Sequence, residues 1–327
     1  MKKLLFVFNP HSGKGLIRQH LMSICDIFVK GGYEITVHPT QARNDGYEKI
    51  YSRCEDFDAV VCSGGDGTMN ETIKALMTKN KRVPLGYIPS GTMNDFASCL
   101  GIPKDMPEAA ERVIQGHTVT VDIGSFNDEY FTYIAAFGAF TDVSYETSQQ
   151  MKNVFGKLAY IIEGMRRLNT MKSYRVAVTH DNETIEDDFI FGMVSNSTSV
   201  GGIKGLGGTE VKLDDGVFEV FLIKMPASLI EFQQMINALT KRELDSKCFI
   251  SFKAHEVCFH SDNDLPWTLD GEFGGNIRNV TVKNNCKAID IFAPQLGTVI
   301  SDDSGDEEEL SENAEAHEND SDIGDIQ

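Results

Sequence analysis

The stretch that decides the fold is Asp58-Ala59-Val60-Val61-Cys62-Ser63-Gly64-Gly65-Asp66-Gly67-Thr68-Met69-Asn70-Glu71. Asp58–Cys62 is a short apolar run of the kind a strand buried on both faces shows. Three glycines in four positions then give a turn whose backbone can approach a ligand closely. From Thr68 to Met77 the spacing becomes helical, with Met69, Ile73, Leu76 and Met77 on one face. A glycine-rich turn that opens a helix offers free amides and the positive end of the helix dipole, which together suit a phosphate. No Gly-Lys-Ser/Thr follows, so this is not a P-loop. Asp66 stands at the point of closest approach, which is awkward beside a phosphate unless a cation lies between them.

Working outward, the strand–helix alternation repeats. Lys3–Phe8 reads as a first strand, followed by the loop Asn9-Pro10-His11-Ser12-Gly13 and a helix over Leu16–Lys30 that stops at Gly31-Gly32. Tyr33–His38 is a second strand. Val83–Ile88 is a fourth, running into Pro89-Ser90-Gly91-Thr92-Met93-Asn94-Asp95 and another helix, which Thr92 or Asn94 could cap. Val119, Val121 and Ile123 alternate in a further strand that brings Asp122 to its end. Repeated βα units predict a Rossmann-like parallel sheet over residues 1–124, with ligands at the carboxyl ends of its strands. Asp66, Asp95 and Asp122 would then face one crevice together with the loop 9–13. Three acids with few cations near them predict Mg²⁺ accompanying ATP.

After Gly124 the pattern becomes β-rich. Strands are expected at 130–137, 174–180, 189–194, 217–224, 249–252, 257–260, 279–283 and 288–292, with helices near 154–168 and 228–239. A sandwich- or barrel-like second domain over 125–296 follows, with the active site in the cleft between the two. Asp214-Asp215-Gly216 and Asp270-Gly271 read by themselves as turns. Trp267 reads as strand core.

The formal charge is −19. Residues 301–327 carry six Asp, six Glu and no Lys or Arg, leaving −7 for the rest. No basic stripe is present, which argues against nucleic acid. The tail 297–327 is expected to be disordered and solvated. Seven scattered cysteines show no metal spacing and read as reduced thiols. The apolar run after Met1-Lys2-Lys3 is too short for a signal segment, and no stretch reaches the ~20 apolar residues of a spanning helix, so membrane contact would be peripheral.

The five motifs Asn9-Pro10-x-Ser12-Gly13, Gly64–Thr68, Pro89–Ala97, Leu213-Asp214-Asp215-Gly216 and Leu269-Asp270-Gly271-Glu272-Phe273-Gly274-Gly275, in this order, resemble the soluble bacterial diacylglycerol and lipid kinases over residues 1–295. The resemblance implies an ATP-dependent kinase acting on a lipid hydroxyl, diacylglycerol before other lipid alcohols. It implies that Asn9, Pro10, His11, Ser12, Gly13, Thr40, Gly64 to Glu71 (Met69 and Asn70 included) and Thr92 hold ATP. Asp66, Asp95 and Asp122 would form an acidic network with water and the catalytic Mg²⁺, and Glu272 would be the general base. A structural Mg²⁺ is implied at the Asp215 carboxylate with the carbonyls of Lys212 and Val217. The resemblance also implies a cytoplasmic enzyme that meets the inner face of the membrane transiently, and it allows a homodimer. One departure stands out: where relatives carry Pro-x-Ala, residues 207–211 read Gly-Gly-Thr-Glu-Val. The neighbouring loop 201–206, with apolar Ile203 and Leu206, is expected to help admit the lipid. An NAD kinase, which shares the Gly-Gly-Asp-Gly-Thr loop, and a catalytically silent nucleotide- or lipid-sensing protein are the rival readings. Pro89–Ala97 and the Asp270–Glu272 ending speak against the first, and the full set of acids against the second.

Overall fold

The structure is a computed structural model that describes residues 1–92, 94–138, 172–196, 199–200, 203–204, 212–241 and 247–294. The expected helix at 154–168, the altered stretch 207–211 and the acidic tail lie outside the described residues, as do the side chains of the loop 201–206. Met1–Gly297 form one compact unit.

Four strands, β1 (Lys2–Phe8), β2 (Tyr33–Pro39), β3 (Ala59–Gly64) and β4 (Leu85–Pro89), lie parallel in the order β2-β1-β3-β4. Leu4, Leu5, Phe6 and Val7 are all fully buried, so both faces of β1 are covered. Five helices accompany them: α1 (Ile17–Lys30), α2 (Asp45–Arg53), α3 (Asp66–Met77), α4 (Asp95–Cys99) and α5 (Met106–Gln115). Ile24 and Phe28 of α1, and Met69, Ile73 and Leu76 of α3, are buried as their spacing predicts.

The next strand, β5 (Thr118–Phe126), departs from expectation. It runs antiparallel to the last described strand, Asn279–Phe292, which is itself parallel to β4. The expected boundary at 124 falls inside β5. β6 (Glu129–Phe131) and β7 (Ile134–Gly138) follow, then β8 (Tyr174–His180), β9 (Glu183–Ser195), the two-residue strands β10 (Ser199–Val200) and β11 (Ile203–Lys204), and β12 (Phe218–Lys224). Helix α6 (Leu229–Lys241) packs Phe232, Met235 and Ile236 against β12 and β9. β13 (Phe249–Ala254), β14 (Glu256–His260), β15 (Pro266–Leu269), β16 (Glu272–Asn276) and β17 (Asn279–Phe292) are the remaining strands among the described residues.

Among the described residues fifteen strands join one continuous sheet. Its β-rich part closes on a core in which Phe126, Phe137 and Phe259 meet the fully buried Trp267 edge-on, with ring centroids 5.0–5.1 Å away. β17 stitches the two halves together by pairing with β14, β5 and β4. Its register shifts between Asn285 and Ile289, where Lys287 adopts φ +52°. The segments 279–283 and 288–292, expected as two strands, are therefore one bulged strand.

Candidate active site

Gly64, Gly65 and Gly91 bring two βα turns into contact. The Gly64 carbonyl accepts the amides of Ser90 (2.9 Å) and Gly91 (3.2 Å). A Cβ on Gly91 would stand 2.5 Å from the Gly65 Cα, so only glycine permits this approach. Gly13, at φ +55°, closes the third turn against the Ser90 carbonyl, which a Cβ would meet at 2.3 Å. Asn94, also left-handed at φ +54°, staples the second turn: its side chain exchanges hydrogen bonds with Gly91 (3.0 and 2.8 Å). It makes no side-chain cap to α4, the role the sequence offered it.

The result is a cleft of about 1170 Å³. Of the expected nucleotide residues, Asn9, His11, Ser12, Thr40, Gly65, Asp66, Gly67, Thr68, Asn70 and Glu71 line it. Pro10, Gly13, Gly64 and Thr92 are not among the lining residues; Gly13 packs against the Ser90 turn and Gly64 against the Thr68 side chain. Met69 is corrected: its sulfur accepts the Cys62 thiol at 3.5 Å inside the core, so its side chain faces the sheet. Sequence reasoning also missed a wall formed by Gln41, Arg43, Asn44 and Tyr47. Glu71 holds that wall by accepting the Asn44 amide at 2.8 Å, while partial burial pushes its carboxyl up.

Asp66 occupies the first turn of α3. Oδ2 accepts the Asn94 amide at 3.2 Å, whereas the buried Oδ1 has no hydrogen-bond partner. Burial, then the charge of Asp95, and to a lesser extent that of Asp270, push its pKa up to about 6. Asp95 is thus close enough for its charge to act on Asp66, although it is not among the cleft-lining residues. Their third companion is Asp270, which the sequence suggested only as a turn residue. Asp270 (φ +49°) and Gly271 (φ +82°) do form a two-residue hairpin turn between β15 and β16. The Asp270 carboxylate is nevertheless buried and accepts the amides of Thr132 (2.7 Å), Tyr133 (2.9 Å) and Ile134 (3.1 Å), the Thr132 hydroxyl (2.9 Å) and Asn70 Nδ2 (3.2 Å). These amides lie at the break that divides the expected strand 130–137 into β6 and β7.

Asp122 is corrected too. It is fully buried and is not among the cleft-lining residues. Oδ2 accepts the Gly216 amide and Oδ1 the Lys287 amide, both at 2.7 Å. The reason is topological: β5 runs opposite to the parallel strands, so it does not add an end to their crevice. Asp122 ties the Asp214-Asp215-Gly216 turn to the bulge of β17. Asp215 is exposed, and its Oδ1 accepts the Val217 amide at 3.3 Å.

Glu272 is exposed at the start of β16 on the cleft rim, with Phe273 beside it. Its Oε1 lies 3.9 Å from where a Cβ on Gly67 would stand, so it faces the first turn of α3. The cleft's cations are few: Arg43 and Lys74 line it, and Lys74 is paired with Glu129. Among the described residues no three acidic, His or Cys side chains are arranged to hold a metal by themselves.

Comparison with known proteins gives this geometry a lineage. Residues 3–126 match the diacylglycerol kinase catalytic domain, and residues 136–293 match the YegS C-terminal NAD kinase beta sandwich-like domain. The chain is 34% identical to a diacylglycerol kinase of Bacillus subtilis (strain 168), over 84% of this chain and 91% of that one. It is 32% identical to the diacylglycerol kinase of Staphylococcus carnosus (strain TM300), over 90% and 96% of the two chains. A solved diacylglycerol kinase structure from Bacillus anthracis str. Sterne superposes with a TM-score of 0.69 at 22% identity, over 90% of this chain and 97% of that one, a likeness of fold. Motifs, architecture and relatives agree: the chain belongs to the soluble bacterial diacylglycerol kinase family, a group of ATP-dependent lipid kinases.

Proposed function

We propose that the chain transfers the γ-phosphoryl group of Mg-ATP to the free hydroxyl of diacylglycerol, giving phosphatidate and ADP. The observation that carries this reading is the convergence of Asp66, with an unpartnered carboxylate oxygen, and Glu272 on the amino end of α3. The triphosphate lies along the turns at Asn9–Ser12 and Gly65–Thr68, where backbone amides and the helix dipole attract it. Its γ-phosphorus faces the rim at Glu272. A carboxylate there takes the hydroxyl proton as the new O–P bond forms and the bond to the β-phosphate oxygen breaks.

The residues present fit Mg²⁺. The Asp66 oxygen without a hydrogen bond and the acid excess of the cleft call for a cation. The absence of a three-ligand cluster among the described residues suits an ion that keeps waters and leans on phosphate oxygens. When bound it neutralises charge on the β- and γ-phosphates. Asp66 would hold it through water, with Asp95 beside it. The all-oxygen set of Asp215 carboxylate and the Lys212 and Val217 carbonyls suits a second, structural Mg²⁺, whose turn Asp122 fixes. Contact with the bilayer is peripheral in this reading: among the described residues no helix is long and apolar enough to cross a membrane. The lipid alcohol reaches Glu272 from the β-rich side.

The test is ADP release by purified protein given Mg-ATP and detergent-dispersed diacylglycerol, with NAD as control acceptor. Diacylglycerol-dependent release is the expected result. Release with NAD alone would replace this function with NAD phosphorylation.

A further inference from the structure

We propose that Asn70 and Asp270 form a positioning latch between the nucleotide helix and the hairpin that carries Glu272, and that the Asn70 side chain serves this latch rather than the nucleotide. The inference rests on the kinase reading of the cleft, in which Glu272 must meet a substrate held over α3.

Asp270 is the hub. A carboxylate with no water around it is costly unless its lone pairs are filled. Four of its five donors come from Thr132, Tyr133 and Ile134, within the same β-rich half. The fifth, Asn70 Nδ2, comes from α3 at 3.2 Å and lies 200 residues away in sequence. The same Nδ2 also donates to the Tyr130 carbonyl at 3.0 Å. A primary amide has two hydrogens, so both are directed at the β-rich half and neither is left for a phosphate or ribose oxygen.

The latch lies where it can set the reaction geometry. Gly67, which Glu272 faces, and Asn70 are three residues apart and so share one face of α3. On the other side, Glu272 follows Asp270 by two residues across a turn with both central residues at positive φ. Fixing Asp270 to α3 therefore fixes the backbone of Glu272 over the helix's first turn. The side chain of Glu272 is exposed and has no such anchor of its own in the sheet core. Asn70 is thus a positioning residue, acting on the reaction through Glu272.

Steady-state kinetics of Asn70→Ala with diacylglycerol and Mg-ATP tests this, with Glu272→Gln as reference and melting curves to confirm folding. Loosening the base by an ångström lowers kcat by roughly 10- to 100-fold, and KM for Mg-ATP stays within about twofold because both amide hydrogens are committed to the β-rich half. A raised KM for ATP with kcat preserved would assign Asn70 to the nucleotide and overturn the latch. Asn70→Asp adds a second readout. A carboxylate facing Asp270 repels it at about pH 8, and protonation toward about pH 6 lets position 70 donate again. The variant's rate relative to wild type therefore rises as pH falls, and a flat ratio contradicts the proposal. Normal turnover by Glu272→Gln would remove the general-base reading itself. An inactive Glu272→Gln beside a fully active Asn70→Ala would remove the latch alone.

Discussion

Asp66, half-buried in the first turn of α3, and Asp122, fully buried within β5, do opposite things. Asp122 is satisfied: each oxygen takes a backbone amide at 2.7 Å, and its own amide and carbonyl are bonded to Leu213 and Asn196. Asp66 is left wanting, with one oxygen unpartnered and two further carboxylates close enough to push its pKa up to about 6. A fold that leaves one acid unpaired while filling every position around another puts an unmet charge where the proposed cation and phosphates would bind, and rigidity where the halves join. The difference lies in the company each carboxylate keeps.

Two substitutions sharpen that contrast. Asp66→Asn should have the larger effect on turnover, a loss of roughly 10²–10³-fold, as for other groups that stabilise developing charge. Without metal it should nonetheless be the more stable protein. Asp66 has a folded pKa of about 6, above the ordinary carboxylate value of 3.8, so the folded chain holds a proton that the unfolded chain has released between those values. Its burden on stability thus grows as pH rises through this window and is complete above it. Urea unfolding in chelator at about pH 8 should show Asp66→Asn gaining about 3 kcal/mol, a gain that vanishes below the unfolded pKa. A destabilised Asp66→Asn at that pH would break the comparison.

Asp122→Ala should do the reverse. It strands the buried Gly216 amide and the half-buried Lys287 amide, at a cost of about 2 kcal/mol, and frees the 214–216 turn. The folded fraction should keep turnover within about tenfold of wild type when Mg²⁺ saturates, since the residue does not line the cleft. A stable protein with turnover lost as in Asp66→Asn would return Asp122 to the catalytic set that the sequence suggested.

What the sequence disclosed follows from locality. Strands β1, β3 and β4 and helices α1 and α3 are legible because continuous apolar runs and helical spacing are local signals. Helix α2 is silent: its only large fully buried side chain is Ile50, Tyr51 is 44% exposed, and Asn44 enters it left-handed with no side-chain cap. The first half of β9, Glu183–Asp188, is polar and mostly exposed, so only its second half reads as a strand. The tight glycine turn at Gly64–Gly67 is legible because glycines between strand and helix have a local cause, whereas its contact with the turns at Gly13 and Gly91 is not. Asp270 could not be weighed: its donors lie 136 to 200 residues away, and Asp-Gly is a sufficient hairpin signal without them. Asp122 is expected at the crevice because its strand reads locally as one more parallel member, and only pairing with β17 reveals the opposite direction.

The central claim is most directly tested by following the γ-phosphoryl group itself. Purified protein is incubated with γ-labelled ATP, Mg²⁺ and diacylglycerol in mixed micelles, beside Glu272→Gln, and the label is extracted into organic solvent. The account predicts label in phosphatidate for the wild type and next to none for Glu272→Gln. Label that stays in the aqueous phase with every lipid alcohol, or equal transfer by the two proteins, would contradict it.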